Sequence, residues 1–510
     1  MNEEMRTSQM YEGEDEEKYM EIYEENTQAF AGTLPRIVQE FQKDAVNVAH
    51  YNEIPAAVSY FVILGQICKD YIKIPNGFSI EDSRIHFCQI QTSGTGKSTL
   101  YNFVGPVAKS VFKKINDTNS HPLAELIPPE FEGDFVPKKP KDFNVFSTTL
   151  YTDAALIGHY KEELDRGEDS ETKGEFRQKR VAGELEGSGL AHWDEFEYSG
   201  IFKQSQHKEN SIVYLNTLMN SLAGESWIIS KALTSFGGMI MECFCERSVL
   251  AMTYPPTNLN DVMAEKGVLQ RMLLYVWDVP EFIQHKMRLE QIEKAGTVEE
   301  VNSPIDKYAQ AIFTLYELTR DRFNEVGGDP LKTMKYTPDF NQVLRLEYES
   351  MRMYIQSYPS HVAKIAGNFT TRLMKILYKM SVLCSVASAP SIKDKNQRFV
   401  VTGHNVRQAS TIVRQCYRSL VDWLTDSLRA KRKSIAENSL ESLFMDVYSK
   451  MKKDDEGFVN KTTLLTEVRT KAKKSRAQVY RHFDVIRHKF EEQKGASNRT
   501  YVKLIRSDEE

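Results

Sequence analysis

The sequence predicts an α/β chain: a mostly parallel sheet covered by helices, with a helical lead-in before it and a helical lid and small basic domain after it. Short apolar runs of strand length alternate with helix-period segments between residues 85 and 276, the pattern of a parallel sheet buried on both faces. Residues 305–432 are apolar at helical spacing almost throughout. The ends are oppositely charged: residues 1–30 hold ten Asp/Glu against two Lys/Arg, and residues 461–506 hold thirteen Lys/Arg against four Asp/Glu. With 510 residues, 41% hydrophobic and 27% charged, the chain exceeds one core, fits roughly two to four domains and is not a mostly disordered or fibrous protein. It has no run of about 18 apolar residues and its first thirty residues are acidic, so no transmembrane helix, secretory signal or transit peptide is expected. A cytoplasmic location follows, the host's if the chain is phage-encoded. Six cysteines without a C-x-x-C are expected to be reduced core residues, with no structural zinc.

The elements follow in chain order. Residues 1–30 form an acidic, low-hydrophobicity arm expected to be disordered. Residues 31–78 are a helical segment, with Ile37, Phe41, Val46 and then Val58, Phe61, Val62, Leu64 and Ile67 at helical spacing. Over 79–285 a strand at 85–90 leads through glycine-rich sequence into a helix carrying Leu100, Phe103, Val104, Val107 and Val111. A strand is expected at 145–150, a helix capped by Thr152-Asp153 at 154–163, and a charged surface excursion over 161–188. A short acidic strand ends at Asp194-Glu195. It is followed by a helix at 212–222, strands at 227–230 and 239–244, a buried-type strand at 248–253 and another at 272–276. Residues 286–432 are the helical lid. Residues 433–510 give three short helices and a terminal two-stranded ribbon.

Gln91-Thr92-Ser93-Gly94-Thr95-Gly96-Lys97-Ser98-Thr99 lies between a strand and a helix, the arrangement phosphate binding requires. Backbone N–H groups curl round a β-phosphate, the helix N-terminus adds partial positive charge, and glycine lets the backbone approach closely. Lys97 would reach the β- and γ-phosphates of ATP, and Ser98 would hold Mg2+. Gln91 stands where the usual pattern has its first glycine. Hydrolysis also needs an acid for the Mg2+ water shell and a second acid to polarise the attacking water, roles that Asp194 and Glu195 fit in that order. Thr253, at the end of its strand, can orient the lytic water, and is equally an ordinary strand terminus. Arg271, just before the 272–276 strand, can project across a subunit boundary to a neighbour's γ-phosphate. Arg372, at the start of an apolar helix, is a candidate second nucleotide-sensing arginine.

The ordered set of Q-T-S-G-T-G-K-S-T, S-G-L-A-H-W-D-E-F, S-V-L-A-M-T-Y-P-P, G-V-L-Q-R-M-L-L and T-T-R-L resembles the phage and mobile-element P-loop ATPases associated with primase-helicase replication proteins. More distantly it is similar to ring helicases of the superfamily 3 and minichromosome-maintenance type. The likeness spans about residues 34–430. It implies an α/β P-loop NTPase of the AAA+/RecA-like kind acting as an ATP-driven homo-oligomeric ring, a hexamer, that moves on DNA beside a primase or other replication proteins. In those helicases a hairpin just before the sensor strand points into the ring pore, which makes Lys231 the candidate contact to single-stranded DNA. A hairpin with Lys231 in solvent is the alternative.

The last 78 residues look like a winged helix-turn-helix. Arg476 and Arg481 would open the helix that enters a major groove of duplex DNA, Lys494 and Arg499 would sit on the wing, and Lys473, Lys474, Arg487 and Lys489 would mainly neutralise phosphates. A protein-docking module is the alternative. Three functions stay open at this level: a replicative DNA helicase, a helicase loader or replication initiator that binds DNA without unwinding it alone, and a motor that translocates on duplex.

Overall fold

The computed structural model describes residues 32–77, 79–118, 142–148, 152–164, 176–199, 201–202, 210–221, 227–233, 239–256, 258–265, 267–293, 302–437, 440–454, 456–472, 475–495 and 499–504. The chain divides into two compact units, residues 1–423 and 424–510. In the first unit helices α1 (Arg36–Val48) and α2 (Glu53–Cys68) precede a two-stranded antiparallel ladder, β1 (Lys73–Asn76) and β2 (Ser79–Asp82). All residues of α2 from Pro55 to Cys68 are buried, because it is packed between sheet strands on one side and neighbouring helices on the others.

The sheet strands are β3 (Phe87–Gln91), β4 (Phe143–Thr148), β7 (Gly187–Trp193), β9 (Met239–Thr253) and β10 (Leu273–Trp277). They run parallel in the order β10-β3-β9-β7-β4. Non-consecutive neighbours require crossover connections, and α3 (Lys97–Asp117) supplies the one after β3. The fold is therefore α/β, five parallel strands with flanking helices. Burial of whole strands follows: β3 reads Phe-Cys-Gln-Ile-Gln and none of its residues is exposed.

Two additions depart from the sequence reading. After the short α4 (Asp153–Ile157), the chain forms an antiparallel pair, β5 (Gly158–Leu164) and β6 (Phe176–Ala182). The helix expected over 154–163 thus ends at Ile157, and part of the expected surface excursion is strand. Between α5 (Ser211–Leu218) and β9, strand β8 (Trp227–Leu233) pairs antiparallel with the first half of β9, Trp227 opposite Cys245 and Leu233 opposite Met239. The two strands expected at 239–244 and 248–253 are one continuous strand whose second half enters the parallel sheet. The Gly237-Gly238 bend lies outside the described residues.

Helices α6 (Leu259–Glu265), α7 (Glu281–Glu293) and α8 (Asn302–Glu325) follow, then β11 (Lys335–Tyr336), α9 (Pro338–Gln356), α10 (Ser360–Ser388), β12 (Val400–Val401) and α11 (Gly403–Glu437), within which the unit division falls. Ser419 of α11 takes a hydrogen bond from Val276 N at 3.1 Å, which covers the open edge of β10. The second unit holds α12 (Leu440–Lys450), β13 (Val459–Asn460), α13 (Lys461–Ala472), α14 (Arg476–Ile486), β14 (Phe490–Lys494) and β15 (Thr500–Leu504). Its sheet order is β13-β15-β14, antiparallel, over a core of Phe444, Val447, Leu464, Val479, Phe483 and Val502. The five described cysteines are buried. Among the described residues no helix is long and apolar enough to cross a membrane.

Candidate functional site

The site begins where β3 ends. Gln91 closes the strand, and residues 92–96 turn tightly into α3, whose first residue is Lys97. Gly96 caps that helix at φ 80, ψ 12, in the left-handed region where a side chain is strained. Thr95 is buried and donates its hydroxyl to Thr92 O at 2.7 Å, bracing the turn. Lys97 folds back across the loop, its Nζ donating to Gln91 O at 2.7 Å and Thr92 O at 3.0 Å. Partial burial lowers the Lys97 pKa, while the carboxylates of Asp194 and Glu197 oppose that shift.

Gln91 sits where the usual motif has glycine, and its side chain points into a buried amide cluster beneath the loop. Gln89 Nε2 donates to Gln91 Oε1 and to Asn52 Oδ1, the latter at 2.8 Å, and Asn52 Nδ2 donates to Thr95 O at 3.1 Å. The lead-in helices thereby hold the loop from below. Asn52, at the N-terminus of α2, has no motif around it that sequence reasoning can use.

Next to β3 in the sheet lies β9, and next to that β7, so the ends of both face the loop. Asp194 follows β7. Glu195 comes next with φ 50, ψ 45, is exposed, and donates its backbone N–H to Asp194 Oδ1 at 3.0 Å. A 3-10 turn, Phe196–Tyr198, then swings Glu197 inward until it is 4% exposed. Thr253, at the end of β9 and 2% exposed, donates its hydroxyl to Glu197 Oε2. Burial raises the Glu197 pKa, and the Thr253 hydrogen bond works against that rise. Gly94, Thr95, Gly96, Lys97, Ser98 and Thr99 share a cleft of about 380 Å3 with Asp194, Glu195, Glu197, Thr253 and Tyr254.

Glu197 and Tyr254 are the cleft residues that sequence reasoning passed over. The signal is three acids in four positions, Asp194-Glu195-Phe196-Glu197, of which the adjacent pair matches the two roles. The cleft can take a polyphosphate: it offers a helix N-terminus, a lysine and two left-handed glycines at one wall, and carboxylates at the other. Ser98, exposed in the first turn of α3, and Asp194 line the same cleft with hard oxygen donors, the chemistry that suits Mg2+.

Arg271 and Arg372 are not part of this cleft. Arg271 ends a short 3-10 turn ahead of β10, with Nε donating to Asn220 Oδ1 at 3.2 Å and Nη1 to Gly267 O at 2.7 Å. Burial lowers its pKa, and so does the charge of Arg372, which places the two guanidiniums near one another. Lys231 lies on β8 opposite Met241; its side chain is outside the described residues.

In the second unit Arg476 and Arg481 are exposed on α14, and the Arg476 guanidinium lies 5.1 Å from the Tyr480 ring centroid. Lys494 and Arg499 are exposed on the two arms of the β14–β15 hairpin, where Gly495 N donates to Arg499 O at 2.9 Å. Arg487 pairs with Glu492 at 2.8 Å, and Lys461 with the same carboxylate at 2.7 Å. Lys489 is partly buried. Lys473 and Lys474 lie outside the described residues. Neither the protein-family models nor the curated proteins compared with this chain gave a match.

Proposed function

We propose that residues 1–423 are a Mg2+-dependent P-loop ATPase of the AAA+ kind, and that the chain is a ring-forming replicative DNA helicase. One observation carries the ATPase reading: a single cleft joins the glycine loop, Lys97 and Ser98 to Asp194 and Thr253, which stand on the next strands of a parallel sheet. The loop amides and Lys97 hold the β- and γ-phosphates, exchanging the two backbone carbonyls that Lys97 now occupies for phosphate oxygens. Ser98 and Asp194 hold Mg2+, which when bound neutralises charge on the phosphates. A carboxylate beyond Asp194 orients the attacking water.

The helicase reading is supported by the β8–β9 pair immediately before Thr253, which fits a pore hairpin, and by the second unit. Its three helices and basic antiparallel ribbon fit a winged helix-turn-helix on duplex DNA. That same separate basic fold favours the second reading, a replication initiator or helicase loader. Lys97→Ala should lower ATP turnover by at least about 10²-fold by removing the phosphate anchor, measured as phosphate release; turnover within threefold of wild type would sink the site. Forked substrates with each tail polarity separate the two readings, since a helicase displaces a strand from one of them and an initiator from neither.

A further inference from the structure

The sequence offers Glu195 as the acid that activates water, but the structure leaves the Glu195 side chain exposed where it lines the cleft and brings a second, buried carboxylate to the same cleft. Glu197 is 4% exposed and lines the cleft, and its Oε1 is buried, so a water reaches that oxygen once the carboxylate shifts toward the phosphate-binding wall. Its two oxygens differ. Oε2 accepts the Thr253 hydroxyl, whereas among the described residues Oε1 has no hydrogen-bond partner. A buried carboxylate oxygen left without a donor costs free energy, and a donor entering the cleft recovers it. Thr253 is itself anchored at the end of a central strand, so the acid is held from an element that also pairs directly with the loop strand: Thr253 stands opposite Ile90. Glu195 has no such support. Its backbone is left-handed at φ 50, and its side chain is exposed.

We infer that Glu197, not Glu195, is the catalytic base of this cleft, holding the lytic water on Oε1 while Thr253 fixes the carboxylate through Oε2. This rests on the ATPase reading. In the step, the water oxygen forms a bond to the γ-phosphorus as the bond from that phosphorus to the β–γ bridging oxygen breaks, and the bridging oxygen leaves with the bonding pair on ADP. The water proton passes to Glu197 Oε1 and from there to the released phosphate, which restores the carboxylate. Burial favours this role, because a carboxylate that takes up a proton more readily than usual is a better base near neutral pH.

The test uses the full chain and compares Glu197→Gln, Glu195→Gln, Thr253→Val and Thr253→Ser for single-turnover ATP hydrolysis, steady-state kcat and KM, and binding of a fluorescent ATP analogue. Glu197→Gln keeps the shape and loses the base. It should bind the analogue within about threefold of wild type while hydrolysis falls about 10²- to 10⁴-fold. Glu195→Gln should hydrolyse within about tenfold of wild type. Thr253→Val should lower kcat roughly tenfold at unchanged KM, and Thr253→Ser should restore it. Glu197→Gln hydrolysing within fivefold of wild type, or Glu195→Gln losing as much as Glu197→Gln, would overturn the assignment. If Glu197→Gln does not fold, the Thr253 pair decides: a Val variant with wild-type kcat overturns it. Wild type that binds the analogue but hydrolyses nothing removes the ATPase reading, and this assignment with it.

Discussion

His192 is the penultimate residue of β7, between Leu250 of β9 and Ser147 of β4, and is 5% exposed. Its ring stacks on Tyr101 of α3 at a centroid distance of 3.3 Å, and neither ring nitrogen has a hydrogen-bond partner among the described residues. A neutral imidazole tolerates such a place as a flat aromatic; a charged one does not. Burial, aided by the charge of Lys109, pulls the His192 pKa down to about 3. The unfolded chain takes up this proton near pH 6.5 while the folded chain does not, so stability is complete above that pH and falls as pH drops from it toward 3. Between pH 7.5 and 5.5 the loss attributable to His192 is about 1 kcal/mol. His192→Leu should therefore shift the urea midpoint less than wild type does between those two pH values, and an equal shift in both proteins would remove His192 as the cause. In the sequence this histidine reads as an interruption of an apolar run, because polarity is visible there and a stacking partner 91 residues away is not. Glu197 is hidden for a related reason. Its side chain turns inward on a 3-10 turn that the spacing of acids along the chain does not announce, whereas the glycine loop and Lys97 are legible because local sequence alone builds them.

Elements were legible where burial is simple. The strand, loop and helix from Phe87 to Asp117 follow from an apolar run, two glycines and an amphipathic helix. Strand β9 is longer than its pattern because charges inside it are satisfied by other elements: Glu246 pairs with buried Lys69 at 2.8 Å, and Arg247 donates to Glu186 O at 2.6 Å and Ser188 O at 3.4 Å. Polar residues at 246–247 mimic a break in the sequence and are core contacts in the structure. The sequence does not announce the β5–β6 pair, because Lys161-Glu162-Glu163 reads as exposed helix. A glycine decides it instead: Gly158 has φ 91, and a Cβ there would lie 2.3 Å from Val181 O, so any other residue would force the hairpin apart. On the second unit the same distinction between free and satisfied charge yields a prediction. Arg476 and Arg481 are exposed on α14, while Arg487 is already paired with Glu492, whose pKa the neighbouring Lys461 and Arg487 lower against its burial. Each phosphate contact that releases a counterion contributes about 0.9 to the slope of log affinity against log salt. Replacing both Arg476 and Arg481 by alanine should flatten that slope by roughly 1.8 for ATP-free duplex binding, and Arg487→Ala by well under 0.9. A fluorescence anisotropy titration across salt concentrations reads the slopes. Equal slopes in wild type and the double variant would make α14 a protein-docking helix.

At the scale of the whole molecule, the two arginines raise the question of how many copies make a site. In the parallel pair of β10 with β3, Leu273 stands opposite Phe87 and Trp277 opposite Gln91. Arg271 therefore lies at the start of the strands and the glycine loop beyond their end, separated by the climb of β3, about 13 Å at the rise of an extended strand. An arginine side chain turned to Asn220 and Gly267 does not span that climb to its own cleft. Arg372 lies beside it, so two cations share one place away from the cleft, an arrangement that like charges disfavour unless an anion is brought to them. A neighbour's nucleotide is such an anion, and a ring of identical subunits would present each arginine pair to the next cleft. Complementation between inactive subunits separates this from a role within one chain. Lys97→Ala leaves Arg271 intact but no phosphate anchor, and Arg271→Ala leaves the cleft intact but no arginine to offer. Each should hydrolyse little ATP alone. Mixed in equal amounts under conditions that exchange subunits, a random ring places an intact cleft against an intact arginine at about a quarter of its interfaces, and turnover should return to that order of the wild-type rate. If Arg271 instead served its own chain, every subunit in the mixture would carry one defect within a single site, and hydrolysis would stay at the level of the separate variants.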